Sequence, residues 1–325
     1  MKQHILVSAL DWGYGHVTRT NIRVTQFLQE GHTVTIACSQ NQLRLWQSLQ
    51  PQLQIIAELP DNSIELSGFS MEMIWLMKKN NRFRKNWKTE REWIEKYTSS
   101  HRVDHIFSDN RYGFYSPKHN CTLLTHQVNL QGPWPWKKIA QWALNNHLKN
   151  FNCIEIPDYS QKPRLSGILG STSRNNVLYI GPLAPTAAEE SNFKLNQDCV
   201  LFLSGPEPQR TNFAQLIHNI WPSSHSLAII GDCNLKCENK NVSLLGFLNT
   251  AEKLAALNQA KTIICRSGYT TLMELHALNK KAILVPTTGQ WEQEYLARYW
   301  NSQFHFPSIK QHKLSTEFLI SHLKF

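Results

Sequence analysis

The chain has 325 residues, 41% apolar and 18% charged, a composition that packs as a globular protein and a length that suits two domains better than one. Its 34 basic and 24 acidic side chains leave a net charge of +10, which points to an anionic partner. No zinc-finger, bZIP or RRM pattern accompanies that charge, so nucleic acid is set aside, and no run of about 18 apolar residues predicts a membrane-spanning helix.

Strand-like and helix-like segments alternate along the whole length, which predicts an α/β fold with parallel sheets covered by helices. In chain order, residues 5–10 read as a strand and 17–29 as a helix stopped by Gly31. Strand 33–38, helix 42–49 and strand 54–58 follow. Residues 71–97 read as a long helix, 104–108 and 121–125 as strands, 135–150 as a helix and 153–156 as extended. The rhythm restarts with strands at 199–203, 227–230, 242–245, 262–265 and 282–285. Gly and Pro punctuate residues 179–185 (YIGPLAP), which sets a domain seam there. Two such halves imply domains at 1–182 and 183–325 with a cleft between them, and ligands at the carboxyl ends of the strands. The first apolar run is too short for a signal-peptide core and reads as a strand. Cys38, Cys121, Cys199 and Cys265 lie in apolar runs, so the seven cysteines read as reduced residues of a cytoplasmic protein. Cys233 and Cys237, beside Asp232, read as a loop rather than a metal site.

The chemistry-bearing residues cluster after strands. The first strand ends in Asp11-Trp12-Gly13-Tyr14-Gly15-His16. Two glycines let the backbone turn and approach a ligand. His16 then opens a helix, where it can take a proton from an acceptor hydroxyl or simply cap and pack. Asp109 follows the strand at 104–108 and can orient His16 as a triad carboxylate does, or pair with Arg111. His126, Gln127 and Asn129 close the next strand and offer hydrogen bonds to a substrate, unless they form an ordinary polar loop. Ser204-Gly205 ends another strand, where backbone N–H groups can meet a phosphate. Cys265–Ala297 is the richest stretch: strand, Arg266-Ser267-Gly268 turn, helix, strand, polar loop. A helix N-terminus there can hold a phosphate, and the Glu274 carboxylate can accept both hydroxyls of a ribose. Glu292 and Gln293 lie in the polar segment beyond. No Asp-x-Asp occurs, so a reaction needing neither metal nor cofactor is expected.

A separate signal is basic and aromatic. Lys78, Lys79, Arg82, Arg84, Lys85, Lys88, Arg91, Lys96 and Arg102 accompany Phe83, Trp87, Ile94 and Tyr97 on one helical face. Trp134, Trp136, Lys137, Lys138 and Trp142 form a second cluster. Such faces suit an anionic membrane surface, although an apolar stripe of this kind also suits a core.

With these motifs in place, the chain resembles GT-B glycosyltransferases, and within them the MurG-like N-acetylglucosaminyltransferases with a family 28 C-terminal domain. CRSG…T…E is similar to that family's donor motif, with Ser267, Gly268, Thr271 and Glu274 at its positions. Gly246-Phe247-Leu248 resembles the segment whose backbone reads uracil, and Glu292-Gln293 the pair that contacts the donor sugar. GYGH and THQVN resemble the family's acceptor-side loops, bringing in Gly13, Gly15, His16, His126, Gln127 and Asn129. The chain departs from the pattern at Ser204-Gly205, where prolines follow in place of a glycine-rich loop. The resemblance implies two Rossmann-like domains, an acceptor-side one and a nucleotide-sugar one. It implies an inverting, metal-independent transfer, with His16 and Asp109 catalytic, from a UDP-sugar to a glycan or lipid-linked envelope acceptor at the inner face of the membrane. A nucleotide-sugar epimerase of similar fold and a non-catalytic sugar or lipid-carrier binding protein stay open as alternatives.

Overall fold

The computed structural model describes residues 2–11, 14–61, 82–185, 191–237 and 239–323. Gly13 and the first part of the helix expected over 71–97 lie outside them. Among the described residues the chain divides into two compact units, the first ending at Leu183 and the second beginning at Ala184.

Among its described residues the first unit holds seven parallel strands: β1 (His4–Ala9), β2 (Thr33–Ala37), β3 (Gln54–Ile56), β4 (His105–Asp109), β5 (Asn120–Leu124), β6 (Cys153–Ile156) and β7 (Val177–Tyr179). Helices α1 (Tyr14–Gln29), α2 (Gln40–Leu49), α3 (Arg82–Ser100) and α4 (Trp136–Leu148) cover them. The strands alternate their side chains between two cores, as a sheet buried on both faces requires. Ile5, Val7 and Ala9 of β1 meet Val17, Val24 and Phe27 of α1 and Trp46 of α2. Leu6 lies in the opposite core with Ile94 and Tyr97 of α3 and Leu144 and Leu148 of α4. Val17, Val24 and Phe27 recur at helical spacing, which makes one stripe of α1 apolar. The chain then leaves α1 through Gly31 at φ 83°, a left-handed turn that suits glycine.

Among its described residues the second unit has five parallel strands: β8 (Cys199–Phe202), β9 (Leu227–Ile230), β10 (Val242–Gly246), β11 (Thr262–Cys265) and β12 (Ile283–Leu284). They alternate with α5 (Gln209–Ile220), α6 (Thr250–Gln259), α7 (Tyr269–Ala277), α8 (Trp291–Phe304) and α9 (Thr316–His322). Phe213, Ala214 and Ile217 of α5 pack on Cys199 and Leu201 of β8 and on Leu319 of α9. The Asn249 side chain and Glu252 form a reciprocal capping box that starts α6.

Strand order decides where a ligand can enter. The first sheet runs β3-β2-β1-β4-β5-β6-β7 and the second β10-β9-β8-β11-β12. Each order reverses once, between β1 and β4 and between β8 and β11. At such a reversal the connections leave to opposite sides and open a crevice at the carboxyl ends. The segment after β1 carries His16, and Asp109 is the last residue of β4. The segments after β8 and β11 carry Ser204-Gly205 and Ser267-Gly268.

Of the expected apolar stripe of α3, Ile94 and Tyr97 are core and Trp87 is partly buried, and the Trp93 ring stacks on Tyr97 at 5.1 Å; the Phe83 side chain lies outside the described residues. Two strongly exposed tryptophan rings lie around α4 instead, with Trp134 73% and Trp142 68% exposed. Trp87 of α3 meets His147 of α4 edge-on at 4.4 Å, so the basic helix and the tryptophan-bearing one are neighbours. Cys38, Cys121, Cys199 and Cys265 are buried free thiols. Burial pushes Cys38 and Cys265 up to about 12, which keeps them unreactive. Cys237 donates to the Asn239 and Val242 carbonyls and belongs to a loop. Among the described residues no helix is long and apolar enough to cross a membrane.

Candidate active site

At the reversal of the first sheet, Asp109 is the last residue of β4, paired in register with Ala9 of β1 and Leu124 of β5. Its carboxylate is fully buried, so its charge needs compensation. One turn and a half of α1 supplies it. His16 Nδ1 lies 3.0 Å from Asp109 Oδ1. Arg19 donates Nε–H to Oδ2 at 2.6 Å and an Nη2–H to Oδ1, and Thr20 donates its hydroxyl to Oδ2 at 2.8 Å. Arg19 also reaches His126 Nδ1 with Nη1 at 3.2 Å. His16, Asp109 and His126, three candidates read from the sequence, therefore belong to one cluster. After Asp109 the chain turns through Asn110 at φ 53°, a left-handed conformation that asparagine tolerates.

The electrostatics suit a neutral histidine. Burial alone would raise the Asp109 carboxyl, but Arg19 and His16 together hold it well below the usual carboxylate range. Burial lowers His16 below its ordinary 6.5; Asp109 raises it, and Arg19 and His126 lower it again. The His16 side chain keeps 15% of its surface exposed, enough for a proton to be exchanged with a bound molecule.

Arg111, the other partner considered for Asp109, goes elsewhere. It donates to Asp11 Oδ2 at 2.9 Å, Glu90 Oε1 at 2.7 Å and the carbonyls of Ala9 and Pro60. This buried network ties the exit of β1 to α3, and so holds the strand end from which the His16 loop departs. Of the remaining acceptor-side candidates, the Asn129 amide donates to the carbonyls of Ile168 and Ser171, so its N–H groups brace the chain. Gln127 and Gly15 are partly exposed, and Gly13 lies outside the described residues.

In the second unit, α7 begins at Gly268 with no side chain capping its first N–H groups. A Cβ built on Gly268 would meet nothing within 4 Å, and the same holds at Gly205 and Gly246, at φ 95° and 64°. Glycine is thus not required at Gly268 by neighbours or by its φ of −69°; the space in front of it is what its lack of a side chain keeps open. The Ser267 hydroxyl donates to the Gln293 carbonyl at 2.8 Å. Glu274 and Thr271 are buried on α7, and Lys253 of α6 donates to Glu274 Oε1 at 2.7 Å. Gln293 accepts from Thr287 N at 2.9 Å and donates to Gln290, which shapes the polar loop before α8. Glu292 stands in the first turn of α8, Ser204 is partly buried, and Phe247 is 54% exposed.

Arg266, beside Ser267, is buried with its guanidinium 3.9 Å from the Phe213 ring centre and donates to the Val285 and Pro286 carbonyls. It joins α5, β11 and the end of β12. Burial pushes it down to about 10. Sequence reasoning missed Arg19, Thr20 and Lys253 as members of these clusters. Arg19 had a local signal, three residues after His16 and on the same helical face. Lys253 had none, because it meets Glu274 only through the packing of α6 on α7.

Residues 192–324 match the glycosyltransferase family 28 C-terminal domain. No curated protein matches the sequence. The glycotransferase of kitacinnamycin shares the fold at a TM-score of 0.72 and 13% identity, over 99% of this chain and 90% of that one. Arabidopsis thaliana UGT89C1, complexed with quercetin, gives 0.69 and 12% over 99% and 89%. Acinetobacter baumannii MurG gives 0.58 and 11% over 99% and 91%. The second unit thus carries a family 28 C-terminal domain, the chain as a whole has the two-domain GT-B fold, and the protein is a glycosyltransferase.

Proposed function

We propose that the protein transfers a sugar, N-acetylglucosamine or a related hexose, with inversion from a UDP-sugar to a lipid-linked or envelope glycan, without a metal. The observation that carries this reading is the arrangement around Gly268: an uncapped helix N-terminus facing open space, with the Glu274 carboxylate on the same helix. Backbone N–H groups suit a diphosphate, and a carboxylate suits ribose hydroxyls. In this reading His16 takes the acceptor's proton, Asp109 steadies the resulting imidazolium, and attack at the anomeric carbon expels UDP. The lack of any Asp-x-Asp supports neutralisation of the leaving group by N–H donors instead of a cation.

A thermal-shift comparison of UDP, GDP and dTDP, alone and as sugar nucleotides, tests the donor. Saturation at about 100 times Kd stabilises the fold by roughly 2.7 kcal/mol. UDP is expected to give the largest shift, and no shift with any of them sinks the proposal. Gly268→Ala sharpens the test. Its Cβ has room in the unliganded protein, so the stability cost is that of a poorer N-cap residue alone, about 1 kcal/mol. The methyl group occupies the space proposed for diphosphate, so UDP affinity falls about tenfold, or 1.4 kcal/mol. Unchanged UDP affinity in Gly268→Ala would remove the diphosphate from that position.

For the acceptor side, support comes from Trp134, Ile139 and Trp142, all exposed around α4, with Lys138 Nζ 5.5 Å from the Trp134 ring. Exposed Arg84, Lys85 and Lys88 lie on the neighbouring α3. Tryptophan and lysine together suit the headgroup region of an anionic bilayer. Vesicles rich in phosphatidylglycerol are expected to sediment the protein, and phosphatidylcholine vesicles not. Trp134→Ser with Trp142→Ser should release it without altering UDP binding. Equal sedimentation by both vesicle types, or none by either, rejects the membrane face.

A further inference from the structure

We infer that Lys253 is a specificity-determining residue of the donor site, which shares the ribose with Glu274 so that each side chain reads a different hydroxyl. The inference rests on the reading of Glu274 as the ribose-binding carboxylate. Lys253 Nζ donates to Glu274 Oε1 at 2.7 Å, and the two side chains keep only 13% and 5% of their surface exposed. A buried pair adds little stability over an apolar contact of the same size, so its place in the fold is what needs a reason.

That place is set by the start of α6. Lys253 follows the reciprocal cap formed by Asn249 and Glu252, and its backbone N–H bonds to the Asn249 carbonyl at 2.9 Å. The chain reaches this helix directly from Gly246-Phe247. Lys253 Nζ also lies 5.8 Å from the ring centre of Phe202, the last residue of β8, two residues before Ser204-Gly205. The ammonium therefore stands where the exits of β8 and β10 meet α7, beside the space in front of Gly268.

The hydrogen-bond count gives the pair its selectivity. A carboxylate standing alone can accept from two hydroxyls, one on each oxygen. Glu274 cannot offer both freely, because Oε1 already accepts from Lys253. Among the described residues Oε2 has no hydrogen-bond partner, and Nζ bonds only to Oε1. An ammonium has N–H donors beyond the one spent there. The pair thus presents a free acceptor and free donors side by side. Two hydroxyls on neighbouring carbons match that edge: one donates to Oε2, and the other accepts from Nζ. A deoxyribose leaves one half of the edge unmatched. The ligand class is a ribonucleotide with both hydroxyls present.

Titration calorimetry of the full-length chain with UDP, 2′-deoxy-UDP and 3′-deoxy-UDP tests this. In the wild type, loss of either hydroxyl is expected to weaken binding roughly tenfold to 100-fold, the cost of one unmatched buried polar group. In Lys253→Met one of the two penalties should shrink to within about twofold while the other persists. A lysine that only braces the fold would leave both penalties standing. One that only aims Glu274 would lose both together. Either result overturns the inference, as does a wild type indifferent to one hydroxyl. If Lys253→Met does not fold, wild-type protein with 13C-labelled lysine should show a nuclear Overhauser contact between lysine Cε protons and a ribose proton of bound UDP, and its absence overturns the inference. A wild type that binds no uridine nucleotide sinks the donor reading and this inference with it. Binding of UDP with penalties that ignore Lys253 sinks the inference alone.

Discussion

Replacing His16 by Ala is expected to lower kcat by about 10²–10⁴-fold, the usual worth of a positioned general base, and to cost the fold only about 1 kcal/mol. The small structural cost follows from what remains, since Asp109 keeps its bonds to Arg19 and Thr20. Asp109→Asn behaves differently. It would lose the charge proposed to steady the His16 imidazolium and would remove the carboxylate that Arg19 pairs with. Removing one member of a buried pair costs about 3–5 kcal/mol, so kcat and melting temperature fall together. Steady-state kinetics and thermal melts of the two variants separate the roles. Equal melting losses would place His16 in the fold instead of the chemistry.

The pH dependence has a definite sign. His16 must be neutral to accept a proton, and its pKa is lowered from 6.5 mainly by burial, with Asp109 opposing and Arg19 assisting. The acid limb of kcat/KM should therefore fall below pH 6.5. A limb above that value would assign the titration to another group. Asp109 works the other way on stability. Its folded pKa is depressed, so its contribution is complete above its ordinary 3.8 and is lost as pH falls further.

Arg111→Met produces the second large effect, on folding. The guanidinium is fully buried and bonds two carboxylates that are themselves buried, Asp11 and Glu90. Methionine preserves much of the volume but leaves both charges without it. The expected loss is about 3–5 kcal/mol, a large part of the stability of a typical domain. Adding Glu90→Gln should recover part of that loss, because one of the stranded charges is gone and the effects are coupled. Strict additivity in denaturant melts would show that the network is not a unit. Gly113 belongs to the same construction, since a Cβ there would strike Glu90 Oε2 and the Trp87 backbone.

Much of this was legible in the residues. Apolar runs alternating with helical stripes predict the strands of both sheets except β7 to within a residue or two at most ends, because burial on both faces leaves a continuous apolar signature; β7 is a short edge strand, where only the domain seam was read. The local sequences at the carboxyl ends of β1, β4, β8 and β11 also name His16, Asp109, Ser204-Gly205 and Ser267-Gly268, because small and polar residues closing a buried strand mark a turn that must meet water or a ligand. Which of them share a site depends on strand order, and strand order is set by contacts between segments about a hundred residues apart. His16 and Asp109 meet because β4 lies beside β1 in place of a sequence neighbour. The pairing of Arg111 with Asp11 and Glu90, of Lys253 with Glu274, and the turn of the α3 stripe into the core depended on the same packing. Sequence by itself determined the elements and the chemical types at their ends. Tertiary structure decided the partners, because a buried charge has only the neighbours that the folded chain brings to it.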